Sequence, residues 1–172
     1  GSTETATSLT LDHFNPLNLL SNEGKTYTDT EKWQSRGHNI GLALNYNGIG
    51  KDNEPPLYFL KSKSCLTFEG GIVPYPTFQT DEVWTEVELG IVVGKNKNVK
   101  GFVVTADVTC KNTCGRDHHL PMSKARTGFC PVGSYKPFKQ VDLNNPLVMT
   151  TSINGVEKQR GTTKDMKYNV DE

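Results

Sequence analysis

The stretch VWTEVELGIVVG, residues 83–94, decides what kind of fold this chain can adopt. Side chains two apart share a face of a strand, so Val83, Thr85, Val87, Leu89, Ile91 and Val93 form one nearly apolar face. Glu86 and Glu88 project together from the other face. The strand rise sets their Cβ atoms about 7 Å apart, and carboxylates that close repel unless a cation or a proton intervenes. The pair is therefore either part of a metal site or the wet side of an edge strand.

Working outward, GKNKNVKG (94–101) reads as a turn, and FVVTADVTC (102–110) as a strand buried on both faces. Asp107 interrupts that strand. A charge among valines costs several kcal/mol if buried alone, so a partner is required. Two glutamates from one strand and an aspartate from another would give a hard cation an all-oxygen site, which favours Mg²⁺ or Mn²⁺ over zinc. The plain alternative is a solvated glutamate face, with Asp107 capping a turn or paired with an arginine.

Upstream, NIGLALNYNG (39–48) reads as a buried strand with Ile40, Leu42 and Leu44 on one face, and a short apolar run follows at Leu57 to Leu60. DTEKWQSRG (29–37) suggests a short helix, capped by Asp29 or Thr30 and stopped by Gly37. Downstream, PLVMTTSINGVEKQRG (146–161) is a hairpin by its own chemistry, because Asn154-Gly155 supplies the positive φ angles of a type I′ turn. Between them, KNTCGRDHHLPMSKARTG (111–128) is a polar segment long enough to be functional or mobile. With little convincing helix, the chain reads as mainly β in the α+β class, with residues 1–37 a polar extension and 38–172 the folded domain.

The 19 basic and 19 acidic residues balance, and no basic run is long enough to serve nucleic acid or an anionic membrane. No apolar segment approaches the roughly 20 residues of a membrane span, and GSTETATSLT lacks a signal-peptide core, so we expect a soluble, cytoplasmic protein. Cys65, Cys110, Cys114 and Cys130 then read as free thiols rather than a disulfide framework. Cys110, Cys114, His118 and His119 contain zinc-ligand types, but C-x3-C followed by adjacent histidines fits no common finger.

Taken in order, NIGLALNY, PPLYFLKSKSCL, EVELGIVVGK, GFVVTADVTCKN, MSKARTGFCPVGSYKP and INGVEKQRGTTKDM resemble the fumarylacetoacetate hydrolase family. The similarity runs from about Asn39 to the last residue. Its most specific pieces are EVELGIVVG, ADVT and the tail Gln159, Gly161, Thr163, Met166. The resemblance implies a rolled β-sheet or barrel fold around a central site. It implies Mg²⁺ or Mn²⁺ on Glu86, Glu88 and Asp107, a catalytic Lys124 facing the substrate, and substrate contacts from Asn45, Tyr46, Arg126 and Thr127. For Lys124, the residues alone read as a solvated surface lysine; for Arg126 the choice is between a substrate carboxylate and plain exposure. The implied chemistry is C–C cleavage, decarboxylation or isomerisation of a small 2-oxo or enol acid.

Three departures bear on activity. NYNGIGKDNEPP lacks the histidine of the family's lid dyad, so that route to a general base is closed; Glu54 or Asp52 would have to substitute, or be simply solvated. Lys111 and Asn112 stand after ADVTC where the family carries Arg and Asp, and Lys lacks the bidentate fork of Arg. The usual helix between VVGK and GFVV is almost absent, and the family's final section does not follow Glu172. The alternatives are a second chain that completes the fold, a homo-oligomer that covers it, or a fragment or degenerate copy, and we expect a partner. The competing reading is a catalytically reduced family member that serves as a binding or structural subunit.

Overall fold

The structure, a computed structural model, describes residues 8–9, 39–50, 54–68, 70–77, 82–94, 97–111 and 120–170. The helix expected at 29–37, the candidate base Asp52, and Cys114, His118 and His119 of the zinc reading lie outside the described residues.

The decisive stretch is a strand, β5 (Val83–Val93), following β1 (Ser8–Leu9), β2 (Asn39–Ala43), β3 (Leu57–Lys61) and β4 (Leu66–Phe68). After it come β6 (Val99–Cys110), the helix α1 (Leu120–Lys124), β7 (Cys130–Val132), β8 (Lys136–Pro137), β9 (Val148–Ile153) and β10 (Val156–Thr162). The described residues are mostly β. They form a sheet in the order β4-β7-β6-β5 with β8 on β6, a sheet β1-β9-β10, and the pair β2-β3. No closed barrel forms among them, and none of their helices is long and apolar enough to cross a membrane.

Strands β5 and β6 are antiparallel, joined by a turn in which Lys97 takes φ 59° and Gly94 N donates to Asn98 O at 2.8 Å. Strand β6 is buried on both faces, as its valines require: Phe102, Val103, Val104, Ala106 and Val108 are all buried. The apolar face of β5 packs toward β9, where Val87, Val104 and Met149 cluster with Tyr46 and Leu89. Val108, Cys110 and Phe129 form a second cluster with Val73 and Val83. Burying Phe129 so fully is worth about 2–3 kcal/mol.

The hairpin at Asn154-Gly155 has φ 52° and 76°, the two left-handed residues of a type I′ turn, and Val156 faces Ile153 across it. Strand β2 departs from expectation. Ile40 and Leu42 do share a face, but that face is exposed, with Ile40 at 64%, and Leu44 lies beyond the strand at φ 66°. The reason lies across the pair: Gly41 sits opposite Phe59 and a Cβ on it would lie 2.1 Å from the Phe59 ring, so the aromatic side chain claims the inner face.

Candidate functional site

Register builds the site. Glu86 lies opposite Asp107, and Glu88 opposite Thr105, so the three acids of the sequence analysis occupy one face of the β5-β6 ribbon. Directly opposed Cβ atoms stand roughly 5 Å apart, within strong mutual repulsion. Strand β5 does lie at the end of its sheet, and both glutamates are half-buried. Thr105, Asp107 and Thr109 complete the floor from β6.

Two lysines close over it. Lys124, the last residue of α1 and itself buried, donates from Nζ to Thr109 Oγ1 at 2.7 Å and to Asp107 Oδ2, and stands 3.4 Å from Glu86 Oε2. Lys61, at the end of β3 and 5% exposed, donates to the Phe129 carbonyl at 2.5 Å and forms an ion pair with Asp107 Oδ1. That ion pair covers Oδ1, so each oxygen of the Asp107 carboxylate meets one lysine ammonium. The Phe59 ring lies 5.2 Å from Lys124 Nζ and shields it from above.

The electrostatics follow from this crowding. Burial first, then the charges of Asp107 and Glu86, push Glu88 up to about 8, against the lowering pull of Lys124 and Lys61. Burial, then the charge of Glu88, pushes the Tyr46 phenol well above its ordinary range, while the Tyr46 side chain packs on the cluster of Val87, Val104 and Met149. Burial also raises the Cys130 thiol, which bonds Thr105 Oγ1 at 3.5 Å. Cys130 is therefore a neutral wall of the site rather than a nucleophile.

Of the residues singled out in the sequence, Glu86, Glu88, Asp107 and Lys124 are brought together, whereas Tyr46 packs on the apolar cluster of Val87, Val104 and Met149. Asn45 is buried beneath, and both ends of its amide serve the backbone of Tyr168: Nδ2 donates to Tyr168 O at 3.1 Å and Oδ1 accepts from Tyr168 N at 2.9 Å. Leu44, at φ 66°, turns the chain so that Asn45 enters the interior. Arg126 Nε donates to Met122 O at 2.7 Å, and Thr127 is exposed. Glu54 is exposed in the loop after β2.

Lys61 and Thr109 were missed in the sequence. A lysine after four apolar residues reads as the point where a strand meets water. The one signal was parity, which sets Lys61 on the face of Phe59 rather than that of Leu60.

Among the described residues no three Asp, Glu, His or Cys side chains converge as ligands on one point; Asp107 and Glu86 face the two ammonium groups instead. The donor set nonetheless suits a hard divalent cation: three carboxyl groups share one face, and a cation relieves the mutual repulsion that Asp107 and Glu86 impose on Glu88. Chelation by Glu86 and Asp107 competes with their pairing to the two lysines.

Residues 36–172 match the family model described as fumarylacetoacetate (FAA) hydrolase C-terminal. A mitochondrial oxaloacetate decarboxylase of Dictyostelium discoideum is 30% identical over 159 residues, covering 80% of this chain and 72% of that protein. An uncharacterised Staphylococcus aureus protein is 29% identical over 148 residues, 77% of this chain but 49% of its own length, so the chain spans about half of that relative. Among solved structures, fumarylpyruvate hydrolase from Pseudomonas aeruginosa, in complex with Mn²⁺ and pyruvate, aligns with TM-score 0.63 at 19% identity, over 96% of this chain and 74% of that one. The 5-carboxymethyl-2-hydroxymuconate delta-isomerase of Mycobacterium smegmatis aligns with TM-score 0.64 at 23% identity, over 77% and 56%. At such identities these two structures establish the fold.

Proposed function

We propose, from the premise that this chain belongs to the fumarylacetoacetate hydrolase C-terminal family, that it is an enzyme acting on a small 2-oxo or enol acid. The reaction is C–C bond cleavage, decarboxylation or isomerisation, assisted by Mg²⁺ or Mn²⁺ held by Glu86, Glu88 and Asp107. The observation that carries this reading is the cross-strand register placing the three acids on one face under Lys124. The relatives named above, a decarboxylase, a hydrolase and an isomerase, support the breadth of the reaction class.

A bound divalent ion would supply Lewis-acid polarisation of the 2-oxo group. The chain's own residues do the rest. Lys124, fixed by Thr109 and buried under Phe59, presents a pre-oriented positive charge to the oxygen on which negative charge develops. Its ammonium also has a proton to give at that oxygen. Tyr46 is proposed as a substrate contact, a neutral hydroxyl that hydrogen-bonds a carboxylate without repelling it. Phe59 and Cys130 exclude water from two sides. Arg126 and Thr127, just past Lys124 in the chain, are proposed as further substrate contacts, whereas Asn45 supports the site through Tyr168.

Metal binding is tested by thermal unfolding. Ligand at a hundredfold excess over its dissociation constant adds about 2.7 kcal/mol, so Mn²⁺ should raise the melting temperature and Asp107→Ala should abolish the rise. A melting curve indifferent to millimolar Mn²⁺ and Mg²⁺ removes the metal from this proposal. Turnover is tested with oxaloacetate and acylpyruvates.

One observation favours a second reading. Both oxygens of Asp107 face lysines, so the site is internally neutralised, as in a reduced family member that works as a binding or structural subunit. Metal uptake without turnover of any such acid would select it. Under either reading we propose that the exposed outer face of β2-β3 is covered by a second copy or another chain.

A further inference from the structure

Strand β10 is not regular. Val156 and Glu157 pair with Ile153 and Ser152, but Gln159, not Lys158, pairs with Thr151. Lys158 is the extra residue of a β-bulge, the device that re-aims a side chain. Without it Lys158 would lie opposite Thr151, which is 6% exposed, and a lysine would be driven toward the interior. With it Gln159 takes that place, and its Oε1 reaches out of its own sheet. There it accepts from the backbone N–H of Val87 at 2.6 Å and from Thr151 Oγ1 at 3.3 Å.

Val87 lies between Glu86 and Glu88, on the strand at the end of its sheet. Its N–H points away from β6, toward Gln159. The alternation of antiparallel pairing then makes Glu86 and Asp107 a pair that exchanges backbone hydrogen bonds. The segment Glu86-Val87-Glu88 is thus held from both sides: by β6 through the glutamates' own backbone, and by Gln159 through the residue between them. We infer that Gln159 is a positioning residue, which the bulge at Lys158 turns inward to fix the backbone carrying both glutamates and so to set the cation affinity of a site that it does not touch.

The inference rests on the metal reading above. Groups that orient metal ligands from outside typically account for a factor of 10–100 in affinity. The experiment compares wild type, Gln159→Met and Gln159→Glu, with Mn²⁺ itself as the probe. Free Mn²⁺ is quantified by electron paramagnetic resonance, and Val87 amide exchange is followed by NMR in metal-free protein. Met matches the length of Gln without its acceptor oxygen; Glu keeps an acceptor at the same reach.

Gln159→Met should weaken Mn²⁺ binding 10- to 100-fold and expose the Val87 amide to exchange, whereas Gln159→Glu should keep both within about threefold of wild type. The amide readout separates true rescue from the mere attraction of an added negative charge. Should Gln159→Met not fold, Gln159→Asn, whose amide is one methylene too short, is judged by the same criteria. A variant lacking the acceptor that binds Mn²⁺ as wild type does overturns this inference and leaves the metal reading standing. A wild type that takes up no Mn²⁺ removes both.

Discussion

A lysine as buried as Lys61 is stable only with its ammonium paired, and here the Phe129 carbonyl and Asp107 do this from opposite sides. Removing one partner of a buried pair costs about 3–5 kcal/mol, because the other charge is left uncompensated. Asp107 keeps Lys124, so Lys61→Met should cost about 3 kcal/mol, the low end, read as a shifted urea midpoint at unchanged slope. A loss below about 1 kcal/mol would mean that Lys61 contributes little to the charge balance.

Glu88 makes the opposite kind of statement. Its folded value of about 8 lies above the ordinary 4.5, so between those values the native state binds the extra proton. Stability is then fully present below about 4.5 and falls as pH rises through about 8. Thermal melts of metal-free protein from pH 5 to 9 should show that decline, and Glu88→Gln should flatten it. A wild-type profile already flat over this window would show that Glu88 ionises normally.

At the scale of elements, the β9-β10 hairpin connects turn chemistry to the site. Gly155 at φ 76° occupies a conformation that costs a side-chain-bearing residue about 1–2 kcal/mol, more for a β-branched one. Gly155→Val should lower stability by about 2 kcal/mol in chemical denaturation, whereas Gly155→Asn, which tolerates this region, should cost less than half as much. Equal losses would show that the turn does not depend on φ.

The hairpin also shows what the sequence made legible. Asn154-Gly155 announced the turn, and the alternation in VWTEVELGIVVG and the valines of FVVTADVTC announced β5 and β6. Once those strands are antiparallel neighbours, Glu86, Glu88 and Asp107 need only the right register to share a face. The bulge at Lys158 was not legible, because one extra residue leaves composition and local propensity unchanged while reversing which of Lys158 and Gln159 points inward. The inverted faces of β2 were hidden for a related reason. Parity groups Ile40 with Leu42 correctly, but it cannot show that Phe59 across the strand pair claims the glycine side.

At the scale of the whole molecule, that inversion leaves Ile40 opposite Leu60 and Leu42 opposite Tyr58 on one outward face. Ile40, Tyr58 and Leu60 are each at least 64% exposed. A contiguous apolar patch on a two-stranded element is costly in water, which supports the proposal that another chain covers it. The same two strands carry Phe59 and Lys61 on their inner face, so whatever covers the outside also steadies the roof of the site.

We therefore expect the purified chain to self-associate in sedimentation velocity, with a weight-average mass that rises with concentration and a melting temperature that rises with it. Tyr58→Glu combined with Leu60→Glu should remove both dependences while leaving the inward residues Gly41, Phe59 and Lys61 unaltered in sequence and facing. If the wild type stays monomeric and concentration-independent at tens of micromolar, a second copy of this chain is not what covers the face. The remaining proposal is then a different polypeptide, and it predicts fast amide exchange at Phe59 and Lys61 in the isolated chain.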